Sequence, residues 1–335
     1  MTPVISVIVL NYNGRRWLAP CLSALAAQAA APPFEVLLVD NGSTDGSLEV
    51  VKAGFPSVRI IDNGVNLGFA AGNNAGARAA AGELLVFLNN DTVAESMWLA
   101  ALHSAHLGGP GRDLVTSKLV WLDRPEVVDS AGDGYLRAGG AYKVGHGAAA
   151  SSYAAAGEVF AACGAAFLIR RALFESLGGF DERFFMVYED VDLSYRARLR
   201  GHRVWFEPSA VVAHAGSGTL GVASEAAVFY GQRNLEWTWF KNTPGWLLLA
   251  TLPAHALYSL AGVAHYVAAG RGGAAIRGKL AALVSLPLVW MARRREQRRR
   301  TVDPAAISVR MTRGWLALKR REKSARLDLA DHQHR

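Results

Sequence analysis

Cysteine is scarce in this chain. Cys21 and Cys163 stand far apart in 335 residues, without the spacing of a zinc site or a disulfide framework. A structural zinc centre and a stapled secreted scaffold are therefore not expected, and a reducing compartment is. No basic residue precedes the apolar run 4–10, which is shorter than a signal core, so no secretory leader is expected. No Gly-x-Gly-x-x-Gly follows that run, which argues against a dinucleotide-binding unit. Asp, Glu, Lys and Arg are all missing from residues 242–270, a stretch of 29. What is abundant is apolar surface, at 51% of residues, enough to bury the core of one large domain with appendages.

The net charge of +8 is unevenly spread. Residues 270–335 carry 17 Lys and Arg against 5 Asp and Glu, and residues 1–269 carry 19 against 23. Nucleic-acid-binding folds usually place a basic face on the body itself. Here an acidic body carries a basic tail, which reads as attachment to an anionic surface such as a membrane.

Short β-branched runs at 4–10, 34–39, 58–61 and 83–88 alternate with helix-compatible segments at 17–29, 47–53 and 70–80. This order predicts an α/β, doubly wound and mostly parallel sheet that binds ligands at the carboxyl ends of its strands. Polar clusters follow those ends: Asn11-Tyr12-Asn13, Asp40-Asn41 and Asn89-Asn90-Asp91. Further on, 113–121 and 163–169 read as strands and 191–200 as a helix. Residues 203–207 and 210–214 read as two strands parted by Pro208, and the Gly-, Ala- and Ser-rich stretch 145–157 as a loop over the site.

Several of these residues suit chemistry. Asp40, at a strand end before Gly42 and Ser43, can accept hydrogen bonds from a nucleobase or ribose, or simply cap the next helix. Asn66, Gly68, Asn73 and Asn74 bring donors to a helix start, which favours anions, although Gly and Ala there also suit close packing. Asp91, with the amide oxygen of Asn89, suits a Mg²⁺ or Mn²⁺ ion bridging a diphosphate; the alternative is a cap on a helix beginning near Thr92. Glu189, Asp190 and Asp192 open a helix whose dipole would keep them ionised, as a general base must be, or which they merely complement. His214 ends an apolar run and by itself reads as structural.

Five such segments in this order resemble glycosyltransferase family 2, enzymes of the GT-A fold, and especially its rhamnosyltransferase-like bacterial members. The resemblance covers roughly residues 4–245. It implies that Asp40 recognises the donor base, that the backbone around Asn11–Asn13 and Asn66–Gly68, with Tyr12 and Asn90, lines the nucleotide-sugar pocket, and that Gly164 lets the chain pass under the sugar. It further implies that Asn89-Asn90-Asp91 stands in the place of the Asp-x-Asp metal motif, with Asn89 replacing its first acid. Asp190 would then be the catalytic base, Glu189 would orient the acceptor, and His214 would be a metal ligand beside Asp91. A nucleotidyltransferase would need a Gly- and Arg/Lys-rich loop where 10–18 offers only Gly14, Arg15 and Arg16. A membrane scaffold would need no Asp91, Asp190 and His214 together.

The expected division is a catalytic domain at 1–241, its nucleotide half about 1–110 and its acceptor half 111–241, followed by a helical, basic, membrane-associating extension at 242–335. Residues 242–270 exceed the roughly 20 needed to span a bilayer but contain Pro253, His255 and His265. Body and Arg-rich tail both belong on the cytoplasmic side, so in-plane helices or a re-entrant hairpin fit better than one crossing. The expected partners are a nucleotide-diphosphate sugar, a saccharide or polyprenyl-linked acceptor and an anionic inner membrane face, with no nucleic acid.

Overall fold

The computed structural model describes residues 2–216, 224–316 and 318. The chain opens with β1 (Ile5–Asn11), α1 (Arg15–Ala26), β2 (Phe34–Asp40), α2 (Ser47–Gly54), β3 (Arg59–Asp62), α3 (Gly68–Ala79) and β4 (Leu84–Asn89). These strands lie in the order β4, β1, β2, β3, all parallel. Val7, Ile8, Val9, Leu37, Leu38, Val86 and Phe87 are fully buried, because helices cover both faces of a parallel sheet and apolar side chains must fill both.

There follow β5 (Thr92–Ala94), α4 (Trp98–Leu107), β6 (Leu114–Trp121), β7 (Val128–Ser130), β8 (Asp133–Tyr135), β9 (Ala141–Lys143), β10 (Gly157–Val159), β11 (Ala166–Arg170), α5 (Arg171–Leu177), α6 (Glu189–Leu199) and β12 (Val204–His214). β11 enters antiparallel between β4 and β6, and the full order is β10-β12-β6-β11-β4-β1-β2-β3, with β5 on β12 and β7 on β6. β8 and β9 form a separate hairpin. The last helices are α7 (Glu225–Asn242), α8 (Gly245–Ala268), α9 (Gly272–Val284), α10 (Leu286–Arg298) and α11 (Pro304–Arg310).

Two expectations change. Thr92 opens the short strand β5, so Asp91 caps no helix there. The two expected strands are one, β12, irregular between Glu207 and Val211, and Pro208 sits in that break, where a missing N–H does no harm. The division at 241/242 is no gap in packing. Leu247, Ile307 and Met311 complete a core with Tyr135, Phe160 and Tyr195, and Arg293 and Gln297 donate to the last carbonyls of α7. The part of the basic tail at 319–335 lies outside the described residues.

Candidate active site

At the ends of β1 and β2 a network of short polar side chains fixes the loops. Asn11 donates to Asp40 at 2.8 Å and accepts from Asn90 at 2.7 Å. Gly14 makes this possible, since a Cβ there would lie 2.0 Å from the Asn90 amide. Both Asp40 oxygens are engaged, by Asn11 and by the Ser43 N–H and hydroxyl, and the residue is fully buried. As it stands Asp40 braces the turn, while Asn13 is exposed and Tyr12 half-buried above it.

At the next helix start two of the N–H groups already have partners. The N–H of Gly68 is taken by Asn66 Oδ1 at 2.9 Å, and that of Phe69 by the Phe185 carbonyl at 2.6 Å. Asn74 is spent on the Phe180 backbone and Asn73 on the Phe69 carbonyl. Asn74 ties α3 to the loop preceding α6, while Asn73 bonds back within the helix.

That loop is strained. Phe185, Val187 and Tyr188 all have positive φ, at 63°, 66° and 77°, each worth of order 1–3 kcal/mol for a non-glycine residue. Asn234 of α7 holds it: its amide lies 3.0, 2.8 and 2.7 Å from the carbonyls of Phe184, Met186 and Val187. Asn234→Ala should therefore destabilise the protein by about 1–3 kcal/mol, read as a lowered denaturant midpoint with unchanged slope.

The loop delivers Glu189 and Asp190 to the start of α6. Asp190 is half-buried and accepts from the N–H of Gly164 at 2.7 Å. A Cβ on residue 164 would sit 2.8 Å from the same oxygen, so Gly164 serves Asp190 directly. Burial raises the Asp190 carboxyl above its ordinary range, and the N–H groups of Gly164 and Val191 hold that rise back. Glu189 fares differently from the expectation that a helix start keeps acids ionised. Burial first, then the Asp190 charge, push its carboxyl well up, and among the described residues its Oε2 has no hydrogen-bond partner. Asp192 turns away from the site. Despite burial it is held below the usual range by Lys241 at 2.6 Å and Arg196 at 2.7 Å.

Across the sheet the Asn89 N–H donates to the Ala165 carbonyl, so the end of β4 meets the Gly164 segment. The β5–β12 pairing sets His214 opposite Thr92 and brings its Nε2 to 3.4 Å from Asp91 Oδ1. The other ring nitrogen, Nδ1, lies 2.8 Å from Asp129, a fully buried acid on β7 that Lys143 grips at 2.7 and 2.8 Å. Burial disfavours charge on Asp129, but His146, His214 and Lys143 outweigh it and hold the carboxyl well below the ordinary value. For His214, burial is likewise outweighed by Asp129 and Asp91, and its pKa is raised. Lys143 also bears electrostatically on Asp190, which joins the two halves of the site.

Among the described residues no three His, Cys, Asp or Glu side chains converge on one point. Asp91 and His214 supply one oxygen and one nitrogen close enough to share an ion, and the second ring nitrogen is already engaged by a carboxylate, as in metal-ligating histidines generally. This suits a cation completed by water and substrate phosphates. Asp129, Lys143 and Asn234 were not foreseen. Cys21 and Cys163 are buried and free, and burial pushes the Cys21 thiol up to about 12, so neither is poised for chemistry.

The sequence profile described as Glycosyl transferase family 2 matches residues 6–178. The N-acetylglucosaminyl-diphospho-decaprenol L-rhamnosyltransferase of Mycobacterium tuberculosis is 30% identical over 239 residues, covering 64% of this chain and 76% of that protein. The O-antigen biosynthesis protein RfbC of Myxococcus xanthus is 34% identical over 61% of this chain and 16% of its own length. Among solved structures, a Pyrobaculum calidifontis mannosyltransferase in complex with GDP-Man and Mn²⁺ shares the fold at a TM-score of 0.52 and 22% identity, over 92% of this chain and 87% of that one. GalNAc-T7 with UDP, GalNAc and Mn²⁺ does so at 0.55 and 19%, over 70% and 48%. With its parallel first half, its mixed second half and this profile over more than half its length, the chain belongs to glycosyltransferase family 2 and is a GT-A-fold glycosyltransferase.

Proposed function

We propose that the protein is an inverting glycosyltransferase that moves a sugar from a nucleotide diphosphate onto a saccharide or polyprenyl-diphosphate-linked saccharide in bacterial cell-envelope polysaccharide synthesis. Rhamnose from a dTDP donor is the first candidate, because the Mycobacterium tuberculosis relative is named for that transfer to a decaprenyl-linked acceptor; a UDP-sugar is the second. The observation that carries the reading is Asp190, a half-buried carboxylate held by the Gly164 N–H, on the segment that the Asn89 N–H joins to the end of β4 just before Asp91.

In this mechanism Asp190 takes the proton of the acceptor hydroxyl as that oxygen attacks the anomeric carbon, and the nucleoside diphosphate departs from the opposite face. Glu189, pushed toward its neutral form by burial and by the Asp190 charge, offers a hydrogen bond to the acceptor. Asp91 and His214, with Asn89, would hold the divalent cation, which when bound would supply positive charge to the leaving diphosphate. Asn11, Tyr12, Asn13, Asn90 and the backbone at Asn66–Gly68 line the nucleotide pocket, with Asp40 bracing it. Thermal-shift screening against dTDP- and UDP-sugars with and without Mn²⁺ tests this reading: stabilisation by one nucleotide class, strengthened by metal, supports it, and no response to any donor removes it.

We further propose that the enzyme works at the inner face of the cell membrane, lying on it. α8 is long and apolar enough to cross a bilayer, with a mean hydropathy of 1.6. One face of it, however, is committed to the body. His255 contacts the Ala138 carbonyl at 2.9 Å and Glu236 at 2.7 Å, and it stacks on Trp239 at 3.7 Å. A spanning helix would lose those partners. The opposite face exposes Leu249, Leu252 and Leu260, and the bent pair α9–α10 adds Leu283, Leu288 and Trp290 just before Arg293–Arg300. An apolar face beside basic residues suits in-plane seating on anionic lipid. Charge reversal at Arg294, Arg295, Arg298 and Arg299, all exposed, should abolish flotation with anionic liposomes at low salt and leave weak binding to neutral ones; undiminished flotation would contradict this.

A further inference from the structure

Asp129 touches neither the sheet edge where the nucleotide binds nor the acceptor carboxylates, yet it is fully buried and charged. A buried carboxylate is costly unless each of its lone pairs is answered. Here one oxygen meets His214 Nδ1 at 2.8 Å, both oxygens meet Lys143 Nζ, and the residue's own carbonyl meets His146 Nδ1 at 2.9 Å. The placement follows from the sheet. β7 lies on β6, and β6 is also the parallel neighbour of β12, whose last residue is His214.

We propose that Asp129 is a positioning residue for the cation, resting on the metal reading above. By accepting the Nδ1–H of His214, it fixes the ring plane and the tautomer in which Nε2 turns its lone pair toward Asp91 and the ion. Lys143 anchors Asp129 and leaves it no freedom to swing away. In this arrangement an ion that finds one carboxylate fewer at Asn89 is compensated by a histidine that cannot rotate.

The test is Mn²⁺ binding to the full-length protein in the presence of UDP or dTDP, followed by electron paramagnetic resonance of the free ion, with no turnover required. Removal of the carboxylate partner of a ligating histidine typically weakens metal binding about 10–100-fold. Asp129→Asn should raise the Mn²⁺ dissociation constant by that factor; because it also leaves Lys143 without its partner it should lower the melting temperature, so the affinity is read well below that temperature. Should Asp129→Asn fail to fold, Asp129→Leu combined with Lys143→Met leaves no unpaired buried charge and should show the same loss of metal affinity. Mn²⁺ affinity within twofold of wild type in either folded variant overturns the proposal and leaves Asp129 a structural ion pair. Absence of Mn²⁺ binding by the wild-type protein is a different result, since it removes the metal reading itself and Asp129's role with it.

Discussion

Asp190→Asn should lower the rate of glycosyl transfer by about 10²–10⁴ while leaving donor affinity unchanged, since loss of a general base acts on the chemical step. The amide oxygen can still accept the Gly164 N–H, while the bond from the Val191 N–H to the other oxygen is lost. The neighbouring acid provides the contrast. Glu189 is driven toward its neutral form by burial and by the Asp190 charge, so Glu189→Gln copies its working state and should keep most of the activity. The same electrostatics set the pH profile. A base is active when ionised, and burial raises the Asp190 pKa above the usual carboxylate range. Transfer should therefore fall as pH drops through that raised value, at a higher pH than an exposed aspartate would give, and the acid limb should vanish with the residual activity of Asp190→Asn. Steady-state rates against pH for the three proteins decide it; more than about a tenth of wild-type turnover in Asp190→Asn would reject the assignment.

The second large effect is expected at Asp91. With Asn89 in place of an acid, Asp91 is the one carboxylate of the 89–91 segment, and His214 Nε2 lies 3.4 Å from it. Asp91→Asn should therefore abolish metal-dependent binding of the nucleoside diphosphate, whereas His214→Ala should weaken it and raise the metal concentration needed for activity. The asymmetry follows from charge: the carboxylate opposes the ion's charge, and the imidazole contributes a neutral lone pair. Calorimetric titration of UDP and dTDP across a Mn²⁺ series reads both. Metal dependence unchanged in His214→Ala would return that histidine to a structural link between Asp91 and Asp129.

The sequence carried the nucleotide half plainly, because short β-branched runs alternating with helices leave few topologies, and the polar residues at the ends of β1, β2 and β4 fall where such sheets bind ligands. Asp91 and His214 are 123 positions apart and could be paired only through the family resemblance; the β5–β12 ladder does the pairing in space. Three things stayed hidden. α7 buries Gln232, Asn234, Thr238 and Lys241, so it shows no clean apolar stripe, and its role in clamping the strained loop has no sequence signal. The asparagines of α3 resembled ligand donors, yet backbone carbonyls take them, Asn73 within its own helix and Asn74 in the loop at Phe180. Glu189 looked ionised from its place at a helix start, and only burial, a tertiary property, reverses that.

The central claim is transfer of a sugar with inversion, driven by Asp190 and assisted by the Asp91–His214 ion. Its most direct test is NMR of the anomeric proton in the product formed from an α- or β-configured nucleotide sugar and a short saccharide acceptor. The account predicts a product of the opposite anomeric configuration, formed only with divalent metal and lost in Asp190→Asn. A product that keeps the donor's configuration, or one that carries the nucleotide in place of the sugar, would contradict it.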